Sequence, residues 1–485
     1  MTNNHKVRVR FSPIPTGSLH IGDARTAVLN WLHARKEGGK LIVRIGDADL
    51  SPAERHNEAA VLEGLRWMGI DWDEGSDVGG PAGPYRQSER LDVYEKYAKD
   101  LMDRGHAYSC YCTDDELKAE RRQMLVKGVP PRYSGKCSEL PDNKRRRLEA
   151  EGRKPAVRFR IGRGSIQIND LIHGPVTFDT SSMGDFIIMR SNGLPTYSFS
   201  VVVDDALMEV SLVIRGEDDL PNIPREILLY RALGFDPPQF AHHALLLGPD
   251  RTRLSKAHGY TSVEQFRAQG YVPEALVNYL AWVGGGLGGT KEVLTTDELI
   301  EAFDVKKGCR HATEFDQAKL LWMNAAHLRR LPPEVVLDYW FEMGVGRMLR
   351  DRERLLEVIP VVINNVESLD QLESLVEIFT EKNVAFSMEA EEVLRADHAG
   401  KVLSALASTI EAVDAPRSKE AYQDLMKKVE VASGCQGANL FMPVRAGLTG
   451  ETAGPELEKV FCHLDKETLA HRTDRVLDYI AAHEN

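Results

Sequence analysis

A strand–turn–helix unit near the start of the chain constrains the fold most. Val7–Phe11 reads as a buried strand with alternating Arg, and Ser12–Ser18 as a turn carrying two prolines and a glycine. Leu19–Glu37 has apolar residues at helical spacing (Leu19, Ala24, Ala27, Val28, Trp31, Leu32) and stops at Gly38-Gly39. Leu41–Ile45 is a second short apolar strand, and Ser51-Pro52-Ala53-Glu54 opens a further helix with an N-cap serine, Pro at N1 and Glu at N3. Strand, helix, strand, helix is the rhythm of a parallel α/β sheet. A ligand is then expected at the carboxyl ends of the strands, where the first helix begins.

Residues from about 105 to 190 break that rhythm. They hold three of the six cysteines, a basic run and β-like pieces (Val157–Ile161, Ser165–Ile168, Phe186–Met189), as expected of an insertion between two halves of the sheet. The sheet is expected to resume with Thr196–Val203 and Leu212–Arg215, and Ala244–Leu247 reads as another strand. After Gly284–Gly289 the pattern is mostly helical, with a linker at Pro332-Pro333. A chain of 485 residues is too long for one ordinary core, so three or more domains are expected. No stretch approaches the apolar length of a membrane span, and Met1–Lys6 lacks the apolar core of a secretory signal. Six cysteines in this length do not form a disulfide framework, which points to a reducing cytoplasm. A net charge of −12 argues mildly against a general nucleic-acid binder, although phosphate binding depends on local patches.

Two segments carry chemistry. In Arg10-Phe11-Ser12-Pro13-Ile14-Pro15-Thr16-Gly17-Ser18-Leu19-His20-Ile21-Gly22, His20 is expected one turn into the first helix, where unpaired N–H groups and a partial positive charge favour phosphate. An imidazole there can donate to phosphate oxygens as charge builds in a transition state. Pro13 and Pro15 stiffen the approach, and Gly17 and Gly22 let a nucleotide come near the backbone. In Arg253-Leu254-Ser255-Lys256, a loop offers two cations and a hydroxyl that suit a leaving pyrophosphate. Taken singly, His20 reads as a partly buried helix histidine and Arg253–Lys256 as an exposed basic turn; it is their pairing that suits cleavage of ATP between its α and β phosphates.

With these segments stand Ala24-Arg25-Thr26, Arg44–Asp49, Pro195-Thr196-Tyr197, Val203-Asp204-Asp205, Val213–Asp218, His258-Gly259, Pro273–Leu276, Asn278-Tyr279-Leu280, Trp322-Met323-Asn324, Leu440–Pro443 and Ala446–Gly450. In that order they resemble bacterial glutamyl-tRNA synthetases, which are class I aminoacyl-tRNA synthetases, from about residue 7 to 480. The resemblance implies an α/β fold: a class I Rossmann catalytic domain with an inserted acceptor-binding domain, followed by an all-helical C-terminal anticodon-binding region. The implied boundaries are residues 1–105 and 191–250 for the two catalytic halves, 106–190 for the insertion, 251–330 for the mobile loop and stem-contact region, and 331–485 for the helical region. It implies two steps, formation of glutamyl-adenylate from ATP and glutamate and then transfer to the 3′ adenosine of tRNA, with tRNA often needed for the first. By resemblance His20, Gly22, Arg253, Ser255 and Lys256 are catalytic. Pro13, Thr16, Gly17, His20, Gly22 and Lys256 bind ATP with Mg²⁺, and Arg10, Ser12, Tyr197 and Arg215 bind the amino acid. The implied partners are tRNA, ATP and glutamate or a related acid, with no membrane and a monomeric state.

The amino-acid pocket departs from the family at three positions. Ile14 replaces a serine, Gly46 a glutamate and Val201 an asparagine. The family's glutamate grips the substrate ammonium, and a buried charge without a partner loses roughly 2–5 kcal/mol of binding. Asp23, Asp47, Asp49 or water are the other candidates for that group. Three functional readings follow: a glutamate–tRNA ligase with a rearranged pocket, a paralogue that loads a less polar acid, and a non-catalytic tRNA-binding protein. The His20 and Lys256 segments argue against the third, and Arg10 and Arg215 argue for an acidic substrate.

Cys110-Tyr111-Cys112 and Cys137, with 24 residues between the second and third cysteines, suit a tetrahedral Zn²⁺. Tyr133 and Glu139 are the candidates for a fourth ligand. Cys309, Cys435 and Cys462 have no ligand spacing and read as buried thiols. The run Lys144–Arg147 and the arginines at 347, 350, 352 and 354 read singly as solvated helix faces; the resemblance makes the first an acceptor-arm contact and the second a contact to the tRNA body.

Overall fold

The computed structural model describes residues 6–255, 259, 261–344 and 351–483. The chain forms two compact units, Met1–Phe266 with Leu276–Asp316, and Arg267–Ala275 with Gln317–Asn485.

The first unit begins as the sequence pattern requires. Strand β1 (Arg8–Phe11) leads into helix α1 (Ile21–Lys36), strand β2 (Lys40–Val43), helices α2 (Pro52–Arg55) and α3 (Glu58–Trp67), and the short strand β3 (Glu74–Gly75). At the head of α2, Ser51 Oγ accepts from the Glu54 N–H and the Glu54 carboxylate accepts from the Ser51 N–H, the capping box read from the sequence. β2 pairs in parallel with β1 on one side and β3 on the other, with Val9 opposite Leu41 and Ile42 opposite Glu74. Their faces are buried (Val9, Phe11, Leu41, Ile42 and Val43 are 3% exposed or less), as parallel strands covered on both sides demand.

The interruption follows helix α4 (Leu91–Asp103). It consists of β4 (Ala107–Cys110), exposed helices α5 (Asp114–Val126) and α6 (Asp142–Ala150), β5 (Ala156–Phe159), β6 (Ser165–Asp170), β7 (Gly174–Asp179) and β8 (Phe186–Met189). β4, β5 and β8 form one antiparallel sheet and β6–β7 a hairpin. Leu171 N–H donates to Phe240 O, which seats the hairpin against the returning chain.

The return corrects one expectation. Thr196–Val203 is not a strand: Tyr197–Leu207 is helix α7, with Thr196 at its N-cap position. Every residue from Phe199 to Asp205 is buried, so the helical period vanishes from the pattern, and three consecutive valines mimic a strand. β9 (Leu212–Gly216), α8 (Ile223–Leu233) and β10 (Gln239–His243) follow, with β9 and β10 parallel. β10 went unseen in the sequence, and only Leu246–Leu247 of the expected Ala244–Leu247 strand forms. Ser211 N–H donates to Arg8 O and Arg8 N–H to Ser211 Oγ, both at 2.9 Å, so β9 lies beside β1. The order β3-β2-β1-β9-β10 is doubly wound, and its direction reverses between β1 and β9. Two antiparallel strands, Gly285–Leu287 and Phe303–Gly308, interrupt the helical pattern expected after Gly284.

The second unit is helical among its described residues from Gln317 on. Pro332-Pro333 begins the helix Pro333–Glu342 rather than acting as an open linker. Trp340, Leu355, Val362, Leu403, Leu406, Val444, Phe461 and Val476 are in its core. The buried Arg472 guanidinium donates to Leu448 O, Ile378 O and Glu381 O, carbonyls that helix ends leave without partners. No described helix is long and apolar enough to cross a membrane.

Candidate active site

His20 is the N-cap of α1, not a residue one turn inside it. Its Nδ1 accepts the Gly22 N–H at 3.0 Å, so the proton of the neutral ring sits on Nε2. Gly22 has a steric reason: a Cβ there would come within 3.2 Å of that Nδ1. The rest of the segment shapes the approach. Pro13 is buried and its carbonyl accepts the Gly46 N–H at 2.9 Å, while Thr16 N–H donates to Ile14 O in a tight turn. A Cβ on Gly17 would meet nothing within 4 Å, so the side of the turn it faces is open. Below, Arg25 donates to His243 Nδ1, which leaves the His243 Nε2 proton for Thr26 Oγ1 at 2.9 Å; Thr26 in turn donates to Gly22 O. Burial, then the neighbouring Arg25, pushes the His243 pKa well below its ordinary value, so this ring stays neutral. The chain of bonds ties the first turn of α1 to the end of β10.

The structure brings the second segment to the same place. Ile21 N–H donates to Thr261 O and Val263 N–H to Leu19 O, and His20 bridges Ser262, so the residues after the basic loop pair with those around His20. On the entering side Arg253 bridges Leu247 and Leu254 N–H donates to Leu246 O. The exposed Arg253 guanidinium lies 2.7 Å from the Asp218 carboxylate. Burial raises the Asp23 carboxyl pKa, Arg253 draws it back and Asp218 raises it further, so Arg253 stands near the first turn of α1. Ser255 is exposed. Lys256, like Arg347 and Arg350, lies outside the described residues.

At the switch between β1 and β9 a charge network fills the interior. Arg44 Nη1 donates to Asp205 Oδ1 at 2.7 Å, Arg90 Nε to Asp204 Oδ1 at 2.7 Å, Gln87 Nε2 to Asp204 Oδ2 at 2.9 Å, and Tyr94 OH to Asp204. Arg10 Nε lies 3.3 Å from both Asp205 oxygens. All five charged residues are 3% exposed or less. Burial would raise the Asp205 carboxyl pKa, but Arg10 and Arg44 outweigh it and hold the group ionised. Three guanidinium groups thus face two carboxylates, an excess of one buried positive charge. The Arg10 Nη groups have no acceptor among the described residues, and neither does Arg44 Nη2. Buried cations are stable only when paired, so this surplus suits an anionic ligand.

Arg215 is differently placed. Both its Nη groups fork onto Glu226 at 3.1 and 2.6 Å, and its Nε donates to His242 Nε2, whose Nδ1 faces Asp170 at 2.7 Å. Each of the three guanidinium nitrogens of Arg215 is engaged within the protein. Tyr197, on the first turn of α7, donates to Asp219 Oδ2 at 3.0 Å. Ser12 Oγ donates to Arg44 O and accepts from Arg44 Nε.

Two of the three departures fall together. A Cβ on Gly46 would meet Ile14 Cγ1 at 3.3 Å and Pro13 O at 3.4 Å. The branched side chain at 14 therefore occupies ground that a side chain at 46 would need. Val201 is buried one turn beyond Tyr197. Of the alternative carboxylates, Asp47 accepts from Ser88 N–H and Oγ, and Asp49 pairs with Arg190 at 2.8 Å.

Away from this site, the Cys110, Cys112 and Cys137 sulfurs lie within 4.8 Å of one another. Cys112 and Cys137 are 3.6 Å apart, and Tyr133 Oη is 3.5 Å from Cys110 Sγ and 3.6 Å from Cys112 Sγ. With Zn–S bonds of about 2.3 Å, the edge of a tetrahedron is about 3.8 Å, so the four atoms have nearly the spacing of a zinc ligand set. Arg158 stacks its guanidinium 3.8 Å over the Tyr133 ring. Hydrogen bonding from Cys112, then from Tyr133 and Arg158, outweighs burial and lowers the Cys110 thiol pKa. Glu139 is exposed and outside the cluster. Cys309, Cys435 and Cys462 are half-buried rather than buried, because each sits near a segment end at the edge of its core.

Lys144–Arg147 lies on α6, whose residues are all outside the core. Arg352 pairs with Asp338 and Arg354 with Glu357. Sequence reasoning missed Arg44, Gln87, Arg90 and the Asp170–His242 pair as parts of the site; adjacent Asp204-Asp205 after an apolar run was the available signal.

A family model described as "tRNA synthetases class I (E and Q), catalytic domain" matches residues 6–322, and one described as "Anticodon binding domain" matches residues 331–477. The chain is 45% identical over 480 residues to "Glutamate--tRNA ligase 2" of Syntrophus aciditrophicus, covering 98% of this chain and 99% of that protein. It is 46% identical over 466 residues to "Glutamate--tRNA ligase" of Carboxydothermus hydrogenoformans, covering 94% and 97%. Among solved structures, a glutamate tRNA ligase from Elizabethkingia meningosepticum in complex with its amino acid matches with a TM-score of 0.87 at 29% identity, covering 98% of this chain and 100% of that one.

Proposed function

The chain belongs to the class I tRNA synthetases of the glutamate and glutamine type, and we propose that it is a glutamate–tRNA ligase. One observation carries the choice of an acidic substrate: the surplus cation at Arg10, whose Nη groups are uncommitted beside an Asp205 already paired with Arg44. A substrate carboxylate balances that charge. The reacting carboxylate attacks the α-phosphorus of ATP, held with Mg²⁺, and pyrophosphate leaves. The His20 Nε2–H at the head of α1 donates to phosphate oxygens as their charge grows, and Arg253, Ser255 and Lys256 receive the pyrophosphate. The terminal ribose hydroxyl of tRNA then takes the acyl group and AMP leaves.

In this reading Pro13, Thr16, Gly17 and Gly22 shape the nucleotide seat, Arg10 and Ser12 meet the substrate, and Tyr197 closes its wall. Arg215, neutralised by its ion pair with Glu226, stands behind that wall. Residues 1–105 and 191–250 form the catalytic domain, 106–190 receives the acceptor end with Lys144–Arg147 exposed for it, 251–330 carries the loop and stem contact, and 331–485 reads the anticodon. Cys110, Cys112, Cys137 and Tyr133 hold a structural Zn²⁺, which would brace the insertion. The enzyme works as a monomer in the cytoplasm.

ATP–pyrophosphate exchange over all amino acids, with and without tRNA, tests the assignment. Glutamate is expected to give the highest kcat/KM. A second reading, loading of a less polar acid, is favoured by Ile14 seated against Gly46 and by buried Val201. It stands if another acid outperforms glutamate in the same screen.

A further inference from the structure

We propose that Gln87 provides the hydrogen-bond acceptor that holds the substrate ammonium, which makes it a specificity-determining residue of this pocket. The inference rests on the amino-acid-activating function argued above and adds the group that reads the cationic end of the substrate.

An amino acid brings a cation as well as a carboxylate, and the cation needs an acceptor. The carboxylates around the network are already committed. Asp204 accepts from Arg90, Gln87 and Tyr94, and Asp205 from Arg10 and Arg44. Glu226 takes both Nη groups of Arg215, and Asp219 accepts from Tyr197 and Asn222. Of the carboxylates named for the ammonium, Asp47 and Asp49 are held by Ser88 and Arg190, and Asp23 lies on the first turn of α1 with Arg253 and Asp218 as its charged neighbours.

Gln87 is the exception. A carboxylate can only accept, so the contact with Asp204 fixes the amide NH₂ on that side and turns Oε1 the other way. Oε1 has no donor among the described residues and lies 3.8 Å from the point that a Cβ on Gly46 would occupy. The residue is 6% exposed, and its backbone N–H is anchored to Ile45 O at 3.0 Å, so the amide is held in place. Gly46 leaves a niche beside this oxygen, bounded by Ile14 Cγ1 and Pro13 O. Pro13 O already accepts the Gly46 N–H. An ammonium entering the niche meets Oε1 as its side-chain acceptor, and the half-exposed Ile14 bounds the other side.

The test uses the full-length enzyme with tRNA present. Gln87→Met keeps the length of the side chain and removes the acceptor; Asp204 keeps Arg90 and Tyr94. The KM for glutamate is expected to rise about 10- to 100-fold, the loss associated with a hydrogen bond to a charged group, while the KM for ATP stays within twofold. Glutarate, which lacks the ammonium, is expected to inhibit wild type and variant with the same Ki. A merely structural role for Gln87 would raise both constants together, and either that result or an unchanged glutamate KM overturns the proposal. In the background Ile14→Ser with Gly46→Glu, which puts a carboxylate into the niche, Gln87→Met should cost less than threefold; an undiminished cost there also counts against it. If wild type activates another amino acid and not glutamate, the glutamate assignment falls, and the Gln87 comparison is read on that acid and its deamino analogue. Exchange with no amino acid overturns both.

Discussion

Arg10 and Arg215 present the same side chain in one pocket, yet their replacement should fail in different ways. Arg10→Met leaves Asp205 paired with Arg44 at 2.7 Å, and the contact it removes is a long one at 3.3 Å. No protein carboxylate is stranded, so folding is nearly untouched. The substrate carboxylate loses its partner, at about 2–5 kcal/mol for a buried, hydrogen-bonded charge pair, or about 30- to 4,000-fold in affinity. Arg215→Met strips Glu226, 1% exposed, of both its partners at 3.1 and 2.6 Å. A buried carboxylate left alone costs about 3–5 kcal/mol of stability, a fall in Tm on the order of 10 °C. Exchange kinetics as a function of glutamate, alongside thermal melts of both full-length variants, read the difference. An Arg10→Met enzyme with a glutamate KM within threefold of wild type would refute the surplus-charge argument. Equal melting of the two variants would refute the division of labour between the arginines.

Other expectations are more local. Gly22→Ala should lower kcat about tenfold by crowding His20 Nδ1 at 3.2 Å, while Tm holds or rises because alanine favours the helix by about 0.5–1 kcal/mol; activity at the wild-type level would remove the role given to the Gly22–His20 bond. Protein purified without chelator should carry stoichiometric zinc by metal analysis, and Cys112→Ser should lose it, whereas three freely titrating thiols would exclude the site. Burial, then Arg330, lowers the His327 pKa from 6.5 to about 4. The unfolded chain takes that proton first, so stability is flat above pH 6.5 and falls toward pH 4 by about 3 kcal/mol. The loss of Tm between pH 7.5 and 5 should therefore shrink in His327→Gln, and an equal loss would contradict the assignment. Reversing Lys144 and Arg146 to Glu on exposed α6 should weaken tRNA binding several-fold at low salt and less at high salt; a salt-independent effect would argue for misfolding instead.

Local chemistry was legible wherever it repeats with the period of one element. The alternation of Val7–Phe11, the helical spacing after Leu19 and the Ser51–Glu54 capping box are short-range signals, and β1, α1 and the head of α2 form accordingly. α7 was misread because burial on every side erases periodicity. The same burial hid the site's supporting charges: Arg44 and Asp205 are 161 residues apart, and nothing near either announces the other.

Residue types and their order along the chain therefore determined the fold class, the family and the two segments that meet at the head of α1. Packing alone decided which charges neutralise each other. Ion pairing depends on distance across the sheet and on exclusion of water, and neither is encoded in linear spacing. That is why Arg10, with its Nη groups uncommitted, and Arg215, with all three guanidinium nitrogens engaged, look equivalent in the sequence. It is also why the empty place at Gly46 acquires a meaning only once Ile14 and Gln87 are seen around it.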